Sequence, residues 1–150
     1  MQFTDIKNRI EETLIIRKPE IELWFPDDIT TCSEENLGRL LNLYTLYKNY
    51  ASQQLSFSEA ELHIIRETLR IKEASALISL ISDKDRSSEL KAKEDRQAYV
   101  TQLPEVSEAI NKVALLTAAV KMEKSVLDVF EDRYSCVSRE LSRRQAMWNR

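Results

Sequence analysis

The chain has 150 residues, with 22 Lys and Arg against 25 Asp and Glu, which gives a net charge of −3. Gly38 is its only glycine and it has three prolines. This composition disfavours turn-rich sheets and glycine-rich phosphate-binding loops. The overall charge neither requires nor excludes a polyanionic partner, so only local clusters of charge are informative. At this length we expect one domain, residues 1–150.

Targeting and redox features predict a soluble cytoplasmic protein. Residues 1–12 lack the apolar core of a signal peptide, and no run of the sequence approaches the roughly 18 apolar residues that cross a bilayer. Cys32 and Cys136 lie far apart and are typical of reduced thiols rather than of a disulfide framework. We therefore expect no membrane partner.

Residues 1–32 predict a short helix and an extended link. Apolar residues recur at three- and four-residue spacing from Phe3 to Leu14, which predicts a helix over residues 4–17 that is stopped by Pro19. The run IELWF, residues 21–25, lies between two prolines and is too short for a helix. We expect it to be extended, with Trp24 and its neighbour Phe25 packed onto the rest of the chain.

Residues 33–82 predict a first long helix. Thr31 and Glu34 have the spacing of a capping box, which marks a helix start. A heptad rhythm then runs through twelve positions, nine of them apolar, as expected for coiled-coil-like packing. The positions are Leu37, Leu41, Tyr44, Lys48, Ala51, Leu55, Ser58, Leu62, Ile65, Leu69, Lys72 and Ala76.

Residues 83–103 predict a charged connector, and residues 104–150 a second long helix. The connector alternates in sign, and the spacing of Glu89 with Lys93 and of Lys91 with Asp95 favours a partly helical segment. Pro104 suits the first turn of the helix that follows. Its heptad rhythm has one exception, Glu123. The positions are Val113, Leu116, Val120, Glu123, Leu127, Phe130, Tyr134, Val137 and Leu141.

The two long helices match in length, at about 75 Å and about 70 Å for a rise of 1.5 Å per residue. They predict an all-α fold, an elongated antiparallel helical hairpin with a short N-terminal helix and coiled-coil-like packing. Further apolar residues widen the stripe of the first long helix. These are Leu40, Leu43, Leu46, Tyr47 and Tyr50. Two helices cannot cover such stripes on all sides, so we expect a homo-oligomer with the tyrosines packed at a subunit seam.

The parts of an enzyme site are missing from the sequence. His63 is the only histidine, and its spacing from Glu59 is not a metal-ligand motif. Neither cysteine has a candidate base near it in sequence. We predict a non-enzymatic protein with no catalytic residue, no metal and no cofactor.

One basic grouping lies late in the first long helix. His63, Arg66 and Arg70 share a helical face, with Lys72 close by, at a spacing that suits a row of phosphates. Neighbouring glutamates equally allow a salt-bridged, solvated helix.

The C-terminal grouping is stronger. Residues 133–150 carry a net charge of +4, with Tyr134 and Trp148 interleaved among the arginines. Arginines and aromatic rings together suit phosphate pairing and stacking on unpaired bases. The candidate DNA contacts are Arg139, Arg143 and Arg144. The alternative is a basic helix end that complements the helix dipole and binds an acidic protein surface.

The order of segments resembles the recombination-mediator proteins of tailed phages, the UvsY-like family, over nearly the whole chain. The segments are FTDIKNRIEETL, IELWFPDDI, LGRLLNLYTLYKNYASQQLSFSEAEL and the closing VSRELSRRQAMWNR. The resemblance implies a ring-forming helical protein that binds single-stranded DNA in the host bacterial cytoplasm. Such a protein helps to load a RecA-like recombinase onto strands covered by single-strand-binding protein, without hydrolysing nucleotide itself. It also implies DNA contact late in the first long helix, here at Arg66, Arg70 and Lys72.

Two other interpretations remain open at the level of sequence. The chain has the pattern of a structural helical module of a phage particle or assembly, whose arginines meet acidic protein surfaces. A regulatory adaptor that binds a host enzyme would have a similar pattern.

Overall fold

The structure, a computed structural model, describes residues 3–13, 16–90 and 92–149. These residues are largely helical and contain no strand. The helices are α1 (Phe3–Thr13), α2 (Glu34–Ser82), α3 (Lys84–Glu89), α4 (Lys93–Gln102) and α5 (Pro104–Trp148). The long helices α2 and α5 pack against each other as a hairpin-like pair, which confirms the predicted all-α fold. Self-association stays a prediction.

The chain divides into two compact units to which α2 and α5 both contribute. The first unit contains residues 1–57 and 121–150, and the second contains residues 58–120. Within the first unit α2 and α5 run antiparallel. Tyr44 contacts Arg133, whereas Thr30, just before α2, contacts Arg144 farther along α5.

The core of the first unit lies between α2, α5 and the link that precedes α2. Phe25, Ile29 and Cys32 of the link pack on the buried residues. The buried residues are Leu37, Leu40, Leu43, Tyr44, Tyr47, Ala51, Phe130 and Val137. The helix pair buries one face of α2, and the link buries another.

Two tyrosine hydroxyls hold the link against α2. Tyr44 donates a hydrogen bond to the carbonyl of Trp24 at 2.9 Å, and Tyr47 donates one to the carbonyl of Ile21 at 2.7 Å. The Tyr44 ring also meets the Phe25 ring edge-on, with 5.8 Å between centroids. Residues 21–25 of the link are non-helical, as predicted, but the side chain of Trp24 is partly exposed and only Phe25 packs as expected.

The expectation that the extra apolar residues of α2 are spare is wrong for three of them. Leu40, Leu43 and Tyr47 are buried inside the first unit, so Tyr47, like Tyr44, packs within the chain and not at a subunit seam as expected. Sequence spacing shows which face of a helix a residue occupies, but it does not show that a distant segment returns to cover that face. Of the other two, Leu46 is exposed and Tyr50 is half-buried.

Two predicted helix ends are also corrected. The first helix ends at Thr13 rather than residue 17, and Ile16 and Arg17 are not helical. Leu14 and Ile15 lie outside the described residues. The cap of α2 is Ser33 rather than Thr31, because the Asn36 N–H donates to the Ser33 hydroxyl at 3.2 Å.

Thr31 belongs to a different local structure. It ends a 3-10 turn, Ile29–Thr31, in which the Thr30 N–H is capped by the side chain of Asp28. Its hydroxyl donates to the Asp28 carbonyl at 2.8 Å and is therefore engaged away from α2. The Thr30 hydroxyl and N–H both donate to the Asp28 carboxylate, which lowers the pKa of that carboxyl.

The second unit has its own core, built from α2, α4 and α5. Leu80, Val100 and Val106 are buried there, and further apolar residues of these helices pack around them. Val100 comes from the charged connector, so one side of that connector faces the core. Here too α2 and α5 run antiparallel, since Arg66 meets Thr117 whereas Leu80, later in α2, lies in a core with Val106, earlier in α5.

The connector is partly helical, as predicted, but it is split into α3 and α4. Asp83 begins α3, and its carboxylate accepts the N–H groups of Asp85 and Arg86. Glu89 ends α3 and Lys93 begins α4, so the expectation that these two residues pair along one helix is wrong. The predicted pair that includes Lys91 lies outside the described residues.

Gly38 offers a test of helix propensity in α2. A methyl group on its Cα would meet no atom within 4 Å, and its φ is not positive. Alanine is more favourable than glycine in a helix interior by about 1 kcal/mol. We expect Gly38→Ala to raise the free energy of unfolding by about 0.5–1 kcal/mol in urea denaturation. A lower stability would show that the position requires glycine.

Tyr44 offers a test of the link. We expect Tyr44→Phe to lower the free energy of unfolding by about 1–2 kcal/mol, because it removes the hydrogen bonds to Trp24 and Arg133 while the ring stays. Tyr50→Phe is the control, since no hydrogen bond of the Tyr50 hydroxyl occurs within the described ranges. Equal urea midpoints for the two variants would contradict the role given to Tyr44.

Candidate nucleic-acid interface

The basic end of α5 is organised around a buried carboxylate in the first unit. Glu140 is only 6% exposed. Arg143 donates to both of its oxygens, from Nη2 at 2.7 Å and from Nε at 2.8 Å, and Arg144 Nε donates to Oε1 at 2.8 Å. Hydrogen bonds from Arg143 and then Arg144 hold the pKa of the Glu140 carboxyl at about 2, well below its ordinary value of 4.5. The carboxylate fixes both guanidinium groups in place.

Arg144 is part of the fold. Its side chain is 17% exposed, and besides Glu140 it donates from Nη2 to the carbonyl of Thr30 at 2.9 Å. It therefore joins α5 to the turn that precedes α2. Its low exposure leaves this guanidinium little access to a phosphate.

Arg139 and Arg143 present a different environment. Arg143 is 53% exposed, and its Nη1 approaches the Met147 sulfur at 3.2 Å. Arg139 is exposed, and it makes no ion pair or hydrogen bond within the described ranges of the chain. The two residues are four apart in a helix and therefore share a face. This face offers two accessible guanidinium groups one turn apart.

An exposed aromatic side chain lies five residues after Arg143, about 1.4 turns farther along α5 and on a different face of the helix. Trp148 is 84% exposed, and with Glu34 and Gln145 it lines a shallow cavity of about 340 Å³. Exposed tryptophan near exposed arginine is the combination on which unpaired bases stack while their phosphates are neutralised. The end of α5 can therefore bind a single strand by both means.

Arg133, which contributes to the net charge of residues 133–150, faces the core. Its guanidinium lies 5.2 Å from the centre of the Phe25 ring, and its Nη1 donates to the Tyr44 hydroxyl at 3.0 Å. Arg150 lies outside the described residues. The net charge of residues 133–150 thus overstates the accessible charge.

The second predicted set lies in the second unit. Arg66 and Arg70 are exposed. Arg66 reaches the Thr117 hydroxyl at 3.5 Å, and Arg70 forms an ion pair with Glu67 at 3.0 Å. Lys72 is half-buried and acts on Glu108, whose pKa is lowered chiefly by its hydrogen bond with Lys112 and to a smaller degree by the charge of Lys72. Arg66 and Arg70 are thus more accessible to a ligand than Lys72.

The predicted site residues are accordingly held in two separate groups, one in each unit. The four-residue spacing of Arg139 and Arg143 places them on one face of α5. Sequence spacing gave no signal that Arg144, unlike Arg139 and Arg143, is held within the fold, because the Thr30 carbonyl that Arg144 binds lies 114 residues away in the sequence.

An apolar groove of about 480 Å³ in the first unit was not predicted. It is formed by side chains of the link, α2 and α5. The main ones are Leu23, Tyr47, Tyr50, Met122, Val126 and Phe130. No sequence pattern joins these three segments, so the groove appears only in the folded chain. Its apolar lining suits an aliphatic or aromatic group rather than a phosphate.

No group of three or more possible metal ligands occurs among the residues that the structure describes. Within the same residues, no helix has the length and apolar character that crossing a membrane requires.

Comparison of the chain with protein-family models, with curated proteins and with solved structures yields no match.

The Glu140 cluster predicts a specific pH dependence of stability. Because the folded state holds the carboxyl pKa at about 2 instead of 4.5, the unfolded chain binds the proton first as the pH falls. The stabilisation by this cluster is complete above pH 4.5 and is lost between pH 4.5 and about 2. We expect Glu140→Gln to be less stable than wild type at neutral pH, with the difference shrinking through this window.

Urea midpoints measured at steps through this window test the prediction. Glu35→Gln is the control, because Glu35 pairs with Arg39 on the surface, where water screens the interaction. A constant difference between Glu140→Gln and wild type at every pH would contradict the assignment.

Proposed function

We propose that the protein binds single-stranded DNA through the end of α5 and acts as a recombination mediator. The observation that supports this most directly is the exposed pair Arg139 and Arg143, with the exposed Trp148 five residues after Arg143 at the same end of α5. Two phosphates and one base are the natural ligands of such a set. The recombination context comes from the resemblance of the segment order to the phage mediators.

A mediator must hold a strand and then release it. Two guanidinium groups and one indole per subunit give only a modest affinity, and several subunits on one strand raise it through effective concentration. Such contacts break one at a time. A RecA-like recombinase that polymerises along the strand can therefore displace the contacts of the mediator one after another. The proposed role includes DNA that single-strand-binding protein covers first. The proposed role needs binding alone and includes no catalytic step.

Arg66 and Arg70 are candidates for a second contact. Both are exposed, and the ion pair of Arg70 with Glu67 is itself accessible to solvent, so a phosphate can compete for it. The variant Arg66→Ala with Arg70→Ala removes this second contact and leaves the end of α5 unchanged, so its DNA affinity distinguishes the two contacts.

The main test replaces Arg139 and Arg143 together by alanine. We expect the affinity for a labelled single-stranded oligonucleotide to fall about tenfold, which is about 1.4 kcal/mol. The slope of log affinity against log salt should become shallower by about 1.4, which is about 0.7 for each phosphate that the variant no longer neutralises. Fluorescence anisotropy at several salt concentrations measures both quantities, and a duplex competitor of equal length tests the preference for single strands.

A charge-matched control keeps the test specific. Arg17→Ala with Lys124→Ala also removes two exposed cations of the first unit, and neither lies at the end of α5 or at the start of α2 that packs beside it. If this variant loses as much affinity as the Arg139 and Arg143 variant, binding is general electrostatic attraction. Unchanged binding by the Arg139 and Arg143 variant would sink the assignment of these residues.

The alternative is a structural helical module of a phage particle or assembly with no nucleic-acid role. It is favoured by one observation, that Arg133 and Arg144 are held in contacts within the chain. Absence of single-strand binding at low salt by the intact protein would support this alternative over the mediator.

A further inference from the structure

A second apolar stripe runs along α2 within the second unit. Ile64, Ile71 and Ile78 follow one another at intervals of seven residues, and Ile81 lies three residues after the last of them. Their exposed fractions are 41%, 61%, 66% and 56% in that order. We name these four residues the isoleucine stripe.

The isoleucine stripe is separate from the face of α2 that forms the core. The core of the second unit is reached by Leu69, Ala76, Leu77 and Leu80. Apolar residues at seven-residue intervals, with others three or four residues away, are the pattern of a seam between helices. The stripe therefore has the periodicity of a second helix contact.

We propose that the isoleucine stripe binds the same stripe of a second copy of this chain, with the two α2 helices antiparallel. Ala74 lies on this face, three residues after Ile71 and four before Ile78. An isologous contact requires a patch that complements itself under a two-fold rotation. The following geometry meets that requirement.

The register follows from the position of the stripe. The isoleucines span residues 64–81, so a two-fold axis midway, between residues 72 and 73, covers all four in both copies. This axis places Ile64 against Ile81 of the second copy and Ile71 against its Ala74. At the ends of the contact, a large side chain thus meets a large one. Near its centre, a large side chain meets a small one.

Charge distinguishes the antiparallel from the parallel arrangement. Glu67 is a charged member of the same face, and its carboxylate is paired with Arg70 at 3.0 Å. A parallel, in-register pair would set Glu67 against Glu67 of the second copy. The antiparallel pair sets it against Ile78, over which its aliphatic carbons can pack while Arg70 keeps the carboxylate.

The edges of the stripe agree with this register. On one edge Glu61 would face Ser82 of the second copy, and on the other edge Arg70 would face its Leu77. No like charges meet on either edge, whereas directly opposed like charges would disfavour the contact.

The size of the stripe sets the expected strength. Residues 64–81 form a strip about 27 Å long and about 10 Å wide. The area of such a strip is below the roughly 800 Å² that each partner buries in a standard stable interface. We therefore expect a reversible dimer that dissociates on dilution.

Sedimentation equilibrium of the full chain over a range of concentrations tests the surface. We expect Ile71→Lys with Ile78→Lys to raise the dissociation constant for this contact at least about tenfold. Both side chains are mainly exposed, so helicity measured by circular dichroism should match wild type. Leu115→Lys is the control, because Leu115 is 73% exposed and belongs to α5 rather than to the stripe.

Three results would overturn the proposal. They are a wild-type chain that shows no self-association, an unchanged dissociation constant in the isoleucine variant, and an equal loss in the Leu115→Lys control.

Energy transfer between labelled copies tests the orientation. Cysteines replace Glu61 or Ser82 in a chain whose Cys32 and Cys136 are serine, and donor-labelled and acceptor-labelled copies are mixed. The antiparallel register brings position 61 near position 82 of the second copy and keeps the two positions 61 about 35 Å apart. Stronger transfer for 61 with 61 than for 61 with 82 would exclude the antiparallel arrangement.

This contact does not rest on the proposed DNA binding. The isoleucine variant leaves Arg139 and Arg143 in place, and the arginine variant leaves the stripe in place. Loss of one property without the other therefore shows which inference fails.

Discussion

A pair of packed helices covers only one face of each helix, so other segments of the chain must cover the remaining apolar faces. In the first unit, a second face of α2 is covered by the chain's own link, whose backbone carbonyls accept the hydroxyls of Tyr44 and Tyr47. In the second unit, α4 supplies Val100 to the core. The isoleucine stripe is a further face of α2 for which the described part of the chain provides little cover.

The end of α5 shows how one carboxylate can assign roles to several arginines. Glu140 is buried, so its charge requires partners, and Arg143 and Arg144 supply them. Arg144 also holds the Thr30 carbonyl and so serves the fold. Arg143 keeps half of its surface in solvent and lies on the same face as Arg139. The arginines of this segment look alike in the sequence, but in the structure some stabilise the fold and others are available for the proposed binding of DNA.

The periodicity of the sequence predicted most of the fold, because a repeat near 3.6 residues over such lengths is satisfied by a helix and by little else. The charged connector was predicted as partly helical, but its break near Leu90 was not. The cap of α2 was misplaced because Thr31 and Ser33 are both suitable capping residues, and only the 3-10 turn decides between them.

The candidate site was predicted less completely, for a physical reason. Which arginines are accessible depends on contacts between distant segments, such as Arg133 with Tyr44 and Arg144 with Thr30. Spacing along one helix reports only its own faces. The isoleucine stripe is the converse case. Its seven-residue interval is visible in the sequence, yet its importance appears only when the other face of α2 is seen to form the core.

Trp148 has a consequence for observing the molecule in solution. The chain has two tryptophans, and Trp148, near the end of α5, is almost fully open to water. Indole emission depends on the polarity around the ring and is quenched when a nucleobase stacks on it. The protein thus carries its own optical reporter near the end of α5, and the intrinsic fluorescence of the unlabelled chain registers what occupies that end of the helix.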